Sequence, residues 1–204
     1  MPGDGGPSVG LVLVTYGSAD DLPPFLESLP AATTSLALDV VAVDNASPDG
    51  TVELLEAAGV RVLANRRNVG LTAAINQGAR ELDTEWLLVA NPDTRLMPGA
   101  ISQLVTTAAA DPRVGLIGPR VAELDGTPYP TGRRFPSVGV GIAHALLARL
   151  WPTNPATRAY FGDADTANET EGGVRDVDWV SGCCLLFLRA GFDAAGGFDE
   201  RYLM

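Results

Sequence analysis

Lysine is absent from this sequence, and all 14 basic side chains are arginines. Any phosphate contact from a basic side chain must therefore come from a guanidinium, with its bidentate fork. Acidic residues outnumber basic ones by 25 to 14, for a net charge of −11. Binding a phosphate backbone needs a basic excess, so no nucleic-acid partner is expected. Cysteine is scarce, with only the adjacent pair Cys183 and Cys184. Neighbours on a strand point to opposite faces, so a bridge between them would be strained; both are expected reduced and packed. With no signal-peptide pattern, the cytoplasm is the expected compartment. The single histidine, His144, lies in an apolar stretch with no partner nearby in sequence. It is expected on a helix surface or in the core, and a Ser-His-Asp arrangement has no other histidine to draw on. No apolar run reaches the roughly 20 residues that span a bilayer. The nearest, Val138–Trp151, is too short to cross and reads as a core helix or as a patch touching a membrane surface. Neither G-x-G-x-x-G nor G-x-x-x-x-G-K-[ST] occurs, which disfavours a dinucleotide oxidoreductase and a P-loop enzyme.

What is present is a strand–helix alternation over the first 120 residues. The short β-branched runs are Val9–Val14, Leu38–Val43, Val60–Leu63, Trp86–Val89 and Val114–Ile117. Between them lie the helical stretches Asp20–Leu29, Thr51–Ala58, Leu71–Leu82 and Gly99–Ala110. Continuous apolar strands alternating with helices predict a parallel sheet covered on both faces. Residues 1–8, rich in Gly and Pro, are expected to be disordered. Residues 122–176 lose the pattern and read as a variable excursion within one domain spanning 9–204, with a helical piece near Ile142–Leu150. Order returns at Asp178–Arg189, which reads as one long buried strand, followed by Gly191–Glu200.

In such sheets ligands bind beyond the carboxyl ends of the strands. Thr15 and Tyr16 follow the first strand and offer a hydroxyl and an aromatic face to a base or ribose, or simply end the strand. Asp44 and Asn45 follow the second. Ser47 or Asp49 is able to cap the next helix without Asp44, which leaves Asp44 free to accept hydrogen bonds from a nucleoside. Arg67, Asn68 and Gly70 follow the third strand at a helix N-terminus, an arrangement suited to an anion; the plain alternative is a solvated basic turn. Asn91-Pro92-Asp93 follows the fourth. Pro92 stiffens the turn so that Asp93 projects from the sheet edge, where a carboxylate is able to hold a divalent cation bridging two phosphates.

These segments resemble, in order and spacing, glycosyltransferase family 2: Val12-Leu13-Val14-Thr15-Tyr16, Val43-Asp44-Asn45-Ala46-Ser47, Asn65-x-x-Asn68-x-Gly70, Asn76-x-Gly78, Asn91-Pro92-Asp93 and Gly196-Gly197-Phe198-Asp199-Glu200. The likeness covers residues 9–121 and 177–204, and is strongest to rhamnosyltransferases of actinobacterial cell-wall assembly. It implies an α/β fold of the GT-A type, a Rossmann-like, mostly parallel sheet with helices on both faces. It further implies Mg²⁺ or Mn²⁺ on Asp93, the last position of the family's D-x-D motif, whose first position is here Asn91. Thr15, Tyr16, Asp44, Asn45, Arg67, Asn68, Gly70, Asn76, Asn91 and Asp93 would bind the nucleotide. Trp179, Ser181 and Gly182 would border sugar and acceptor.

The implied reaction is an inverting displacement that moves a sugar onto a lipid-linked diphospho-N-acetylglucosamine, with rhamnose from dTDP-rhamnose as the implied donor. A peripheral contact with the inner face of the membrane would follow from such an acceptor. The family's base usually lies in an acidic motif just past G-G-F-D-E, which is expected beyond Met204. Asp199 and Glu200 are the stand-ins within the chain, although Asp199 reads better as the cap of a helix after the Gly196-Gly197 turn. The alternatives are a family 2 transferase using another nucleotide sugar, a non-catalytic nucleotide-binding fragment or relative, and a bare α/β scaffold.

Overall fold

The computed structural model describes residues 7–34, 36–133, 135, 137–157 and 173–202. The expectation of disorder at residues 1–6 falls outside that set. Ser8, expected in the same tail, instead opens the first strand, and its hydroxyl accepts the Glu85 N–H at 3.2 Å. The chain forms two compact units: Met1–Ile117 with Gly182–Met204, and Gly118–Ser181.

The first unit alternates as its apolar runs dictate: β1 Ser8–Thr15, α1 Leu22–Ala32, β2 Ala37–Asp44, α2 Thr51–Ala57, β3 Arg61–Ala64, α3 Leu71–Arg80, β4 Trp86–Ala90, α4 Ala100–Ala109 and β5 Leu116–Ile117. β1, β2, β3 and β4 are parallel, and the sheet order is β3-β2-β1-β4-β10-β5. Successive side chains of β1 serve opposite faces. Leu11 and Leu13 pack with Leu88, Phe25 of α1 and Ile101 of α4, while Val12 packs with Val41, Leu87 and Ile75 of α3. The sheet is therefore covered by helices on both sides, and β4 is buried along its whole length.

One expectation needs correction here. The run Asp178–Arg189 is not one strand: it divides into β9, Trp179–Val180, and β10, Cys184–Leu188, with a turn at Ser181-Gly182-Cys183 between them. The sheet is mostly parallel, as expected; β10 inserts between β4 and β5 and runs antiparallel to both. An antiparallel neighbour accepts the same apolar residues, so composition alone does not separate the two pairings. Cys184 is buried in β10, and burial pushes its thiol pKa up to about 12. Both cysteines are free. After β10 comes α6, Arg189–Ala194.

The second unit holds two small antiparallel ladders. β6 (Val121–Ala122) pairs with β7 (Pro128–Tyr129), and β8 (Gly132–Arg133) pairs with β9. Its helix α5, Val138–Leu147, starts four residues earlier than expected, because the Ser137 hydroxyl accepts the Val140 N–H at 3.3 Å and sets the start. His144 proves to have a partner: its Nδ1 lies 3.1 Å from Thr157 Oγ1, which also accepts from buried Asn154. No helix of the described residues is long and apolar enough to cross a membrane.

Gly78 explains how α3 seats on the sheet. A Cβ there would stand 2.6 Å from Val12 Cγ1 and 3.1 Å from Val43 Cγ2. Overpacking of this kind costs roughly 1–3 kcal/mol, against a gain of about 0.5–1 from replacing a helical glycine. Gly78→Ala is therefore expected to lower stability by about 1–2 kcal/mol, read as a lower urea midpoint with an unchanged slope. A higher midpoint would show that Val12 swings aside freely.

Candidate functional site

The strand order reverses between β1 and β4: the chain runs from β1 outward to β2 and β3, then returns to the other side of β1. In open α/β sheets that reversal leaves a crevice at the carboxyl ends of the strands. Thr15 and Tyr16 end β1 on one side of it, and Asn91, Pro92 and Asp93 end β4 on the other. Because β10 is antiparallel, its start lies at the same end, and the Cys183 carbonyl accepts the Asn91 N–H at 2.9 Å. Gly182 is thereby brought beside the β4 tip. Trp179 and Ser181 lie in the second unit, where the Ser181 N–H donates to the Thr131 carbonyl.

Asn91 through Thr94 form a β-turn with proline at its second position, the placement that proline's fixed φ favours. Thr94 closes it, donating its N–H and its hydroxyl to the Asn91 carbonyl at 3.3 and 2.8 Å. Asp93 sits at the third position, exposed, with no hydrogen bond or ion pair among the described residues. Tyr16 is likewise presented to solvent, at 59% exposure. Arg66 and Arg67 are exposed just before α3 and carry no partner among the described residues.

Asp44 departs from expectation. Little of its acceptor capacity is left open: it is 1% exposed, and its Oδ1 accepts the hydroxyls of Thr15, at 2.9 Å, and of Ser47. Its Oδ2 accepts the Ser47 N–H at 2.9 Å. Three of about four acceptor positions on the carboxylate are thus filled from within. Ser47 does not cap α2 but accepts the Gly17 N–H at 2.9 Å. Thr51 and Asp49 accept the next two backbone N–H groups, of Ser18 and Ala19. The loops after β1 and β2 are therefore laced together residue by residue. Ala46 takes a left-handed φ of 65° in the middle of this lacing, a conformation uncommon for a residue with a Cβ.

Asn45 is also buried and internally engaged. Its Oδ1 accepts from Asn65 and Val69, and its Nδ2 donates to the Gly70 carbonyl. It pins the β3–α3 loop to the β2 tip, while Asn68 accepts the Gly70 N–H at 2.9 Å. The buried oxygens of Asp44 and Asn45 hold the surface that Tyr16 and Arg67 present.

Asn76 does not join the strand tips. Its Nδ2 donates to the Phe198 carbonyl at 2.8 Å and to Glu200 at 3.0 Å, and its Oδ1 accepts the Phe198 N–H. Gly197 makes the approach possible, since a Cβ there would lie 2.6 Å from Asn76 Oδ1. From Phe198 the chain climbs along α3 until the Tyr202 carbonyl accepts the Thr72 hydroxyl at 2.6 Å. The Asn76-x-Gly78 and Gly196-Gly197 motifs are thus two halves of one clasp. A cavity of about 450 Å³ beside it is lined by Asn76, Arg80, Arg189, Asp193 and Glu200 among others. Its charges already pair as Arg80–Glu200 and Arg189–Asp193, so it offers a ligand little.

Asp199 caps no helix among the described residues. It accepts the Arg201 N–H at 3.0 Å and pairs with the Arg201 guanidinium, which holds its carboxyl below the usual carboxylate range. A base works best with a pKa near the operating pH, so this pairing suits Asp199 poorly to that task. Glu200 is tied to Asn76 and Arg80.

Removing a buried acceptor strands its donors, at roughly 1–3 kcal/mol each. Asp44→Ala strands the Thr15 and Ser47 hydroxyls and the Ser47 N–H. It is expected to cost at least about 2 kcal/mol in urea unfolding and to loosen the loops at Gly17–Ala19, read as faster amide exchange there. Unchanged stability would show that the two loops hold without it.

Comparisons with known proteins bear on the fold and the family. N-acetylglucosaminyl-diphospho-decaprenol L-rhamnosyltransferase of Mycobacterium tuberculosis is 38% identical over 207 residues, covering 95% of this chain and 66% of its own length. This chain therefore spans about two thirds of that relative. Among solved structures, the mannosyltransferase PcManGT of Pyrobaculum calidifontis, in complex with GDP-Man and Mn²⁺, superposes with a TM-score of 0.60 at 18% identity over 98% of this chain and 51% of its own. S. aureus TarS 1-349 in complex with UDP gives a TM-score of 0.64 at 15% identity over 96% and 51%. These likenesses establish the GT-A fold. Residues 11–166 match the profile of Glycosyl transferase family 2, and it is to glycosyltransferase family 2 that this chain belongs.

Proposed function

We propose that this chain binds a nucleoside-diphosphate sugar at the β1/β4 crevice and takes part in inverting transfer of that sugar, rhamnose from dTDP-rhamnose, onto a lipid-linked diphospho-N-acetylglucosamine. The observation that carries this reading is Asp93, an exposed carboxylate without a partner among the described residues, on a proline-stiffened turn at the β4 tip. The relative of M. tuberculosis supplies the acceptor class and the sugar by its name.

A divalent cation fits Asp93. Mg²⁺ and Mn²⁺ prefer oxygen ligands, and Mg²⁺ is commonly held by one or two carboxylates together with substrate phosphates rather than by a full protein cage. Asn91 stands at the start of the same turn and adds no second charge. When bound, the ion would offset the charge that grows on the departing diphosphate. Arg67, at the N-terminal end of α3, supplies a second positive group for that diphosphate, and Arg66 adds to the local field. Tyr16 lends an aromatic face to the base, on a loop that Asp44 keeps in place. Asp44 and Asn45 support the site from beneath, whereas Asn76 holds the Phe198–Glu200 segment against α3. Asp199 and Glu200 are both already engaged, which supports assigning the proton-accepting carboxylate to another residue, as the family resemblance implies. The same observation favours a second reading, in which residues 1–204 by themselves bind donor and transfer little.

Titration with dTDP and Mn²⁺ is expected to give saturable binding that chelation of the metal weakens. In Asp93→Ala that dependence on metal should disappear, with affinity at least about tenfold lower, the scale of a lost charged contact, and with unfolding unchanged. Equal affinity of the two proteins in Mn²⁺ buffer would remove Asp93 from the metal site.

The lipid tail of such an acceptor calls for contact with a membrane surface, peripheral on the cytoplasmic face. α5 supports this reading. Val138, Ile142 and Leu146 follow one another at four-residue spacing, so they share a helix face, and all three are exposed, as are Leu150 and Trp151. The net charge of −11 opposes attraction to anionic lipid, so the contact must be mainly apolar. Co-sedimentation with phosphatidylcholine vesicles is expected to be insensitive to salt and to fall several-fold in Ile142→Glu with Leu146→Glu. Binding that salt abolishes, or that the double variant keeps, would point to another surface.

A further inference from the structure

Arg133 is an arginine held in place without a counter-charge among the described residues. It pairs with Trp179 across the β8–β9 ladder, and its Cζ lies 5.2 Å from the centroid of the Trp179 ring. Its Nε donates to the Pro130 carbonyl at 3.2 Å. Those two contacts orient the guanidinium plane and leave both terminal nitrogens, the fork that grips phosphate oxygens, without a hydrogen-bond partner among the described residues. The nearest acid in the ladder, Asp178, is turned elsewhere: its Oδ2 accepts the Phe135 N–H at 2.8 Å. Beside Arg133, Arg175 donates to the Gly132 carbonyl at 2.8 Å. Trp179, with its ring against the guanidinium, remains 39% exposed.

A half-buried guanidinium kept from every described carboxylate in a chain of net charge −11 is arranged for an anion supplied from outside. An indole beside it offers an apolar surface to the C–H groups of a pyranose ring. From this pairing we infer that Arg133 and Trp179 form a subsite for a sugar phosphate, the guanidinium gripping the phosphate and the indole carrying the sugar. Resting on the proposed function, that sugar phosphate is the diphospho-N-acetylglucosamine end of the acceptor. Arg133 is then a binding residue for acceptor and takes no part in holding the donor.

The test uses the chain saturated with dTDP and Mn²⁺, so that the donor site is filled. Two probes are titrated calorimetrically: N-acetylglucosamine 1-phosphate and farnesyl-diphospho-N-acetylglucosamine. Arg133→Gln is expected to weaken both by about 10- to 100-fold, the range for charged hydrogen bonds, while dTDP affinity stays at the wild-type value. Arg133→Lys, which keeps the charge but loses the fork, should recover only part of the loss, and Trp179→Leu should weaken N-acetylglucosamine 1-phosphate. Equal probe affinity in wild type and Arg133→Gln overturns the subsite, and so does failure of the wild type to bind either probe. Binding of N-acetylglucosamine 1-phosphate that depends on Arg133, with no binding of the lipid-linked probe, upholds the subsite and removes the acceptor named in the proposed function. Should Arg133→Gln lose dTDP as well, Arg133→Lys decides, and wild-type probe affinity in that variant overturns the inference.

Discussion

One buried carboxylate organises the β1 side of the crevice. Asp44 accepts from Thr15 at the end of β1 and twice from Ser47 in its own loop. A charge this deep is tolerated when hydrogen bonds replace water at its oxygens, and here they come from the two segments that border the crevice. The lacing of Gly17, Ser18 and Ala19 to Ser47, Thr51 and Asp49 extends the same connection outward. Asn45 repeats it toward the β3–α3 loop. Tyr16 and Arg67 thus ride on a network of buried polar contacts, which fixes the surface a ligand meets before any ligand arrives.

The β4 side is built differently. Asp93 depends on proline geometry, on two bonds from Thr94 to the Asn91 carbonyl, and on the Cys183 carbonyl that receives the Asn91 N–H. Nothing neutralises its carboxylate among the described residues. The crevice therefore has one rim that is internally saturated and another that keeps an open charge, a division suited to holding a nucleoside on the first and a diphosphate with its cation on the second.

Much of this was legible in the residues, for local reasons. Apolar runs punctuated by polar strand ends located β1 to β4 within a residue or two, and Pro92 marked the turn that presents Asp93. The misreadings concern partners distant in sequence. Asp44 was credited with free acceptor capacity because Ser47 and Asp49 sufficed to cap α2; the structure sends Ser47 to the β1 loop, while Asp49 accepts both the first N–H of α2, from Thr51, and the Ala19 N–H of that loop. Asn76 was a ligand contact only by implication of the family resemblance, and its amide holds Phe198 and Glu200, more than 120 residues away. The signal for that pairing was the coexistence of Asn76-x-Gly78 and Gly196-Gly197, two glycine-marked sites of close approach. Arg133 went unnoticed because its distinguishing property is the lack of a counter-ion among the described residues, which only three-dimensional neighbours reveal. The turn dividing β9 from β10 was masked by a continuous apolar run across Ser181-Gly182.

The insertion of β10 into the sheet bears on how the protein is made. Ala90 pairs with Cys184 and Trp86 with Leu188, so the partner of this central, fully apolar strand is synthesised roughly a hundred residues later. Until it leaves the ribosome, one edge of β4 presents unpaired N–H and C=O groups, the template on which stray strands associate. Contacts of such long range form slowly, because the loop must close before they reward it. The nascent chain therefore emerges with β1 to β4 available to pair and one edge of β4 open, and β10 works as a latch that ends a period of vulnerability to aggregation during translation.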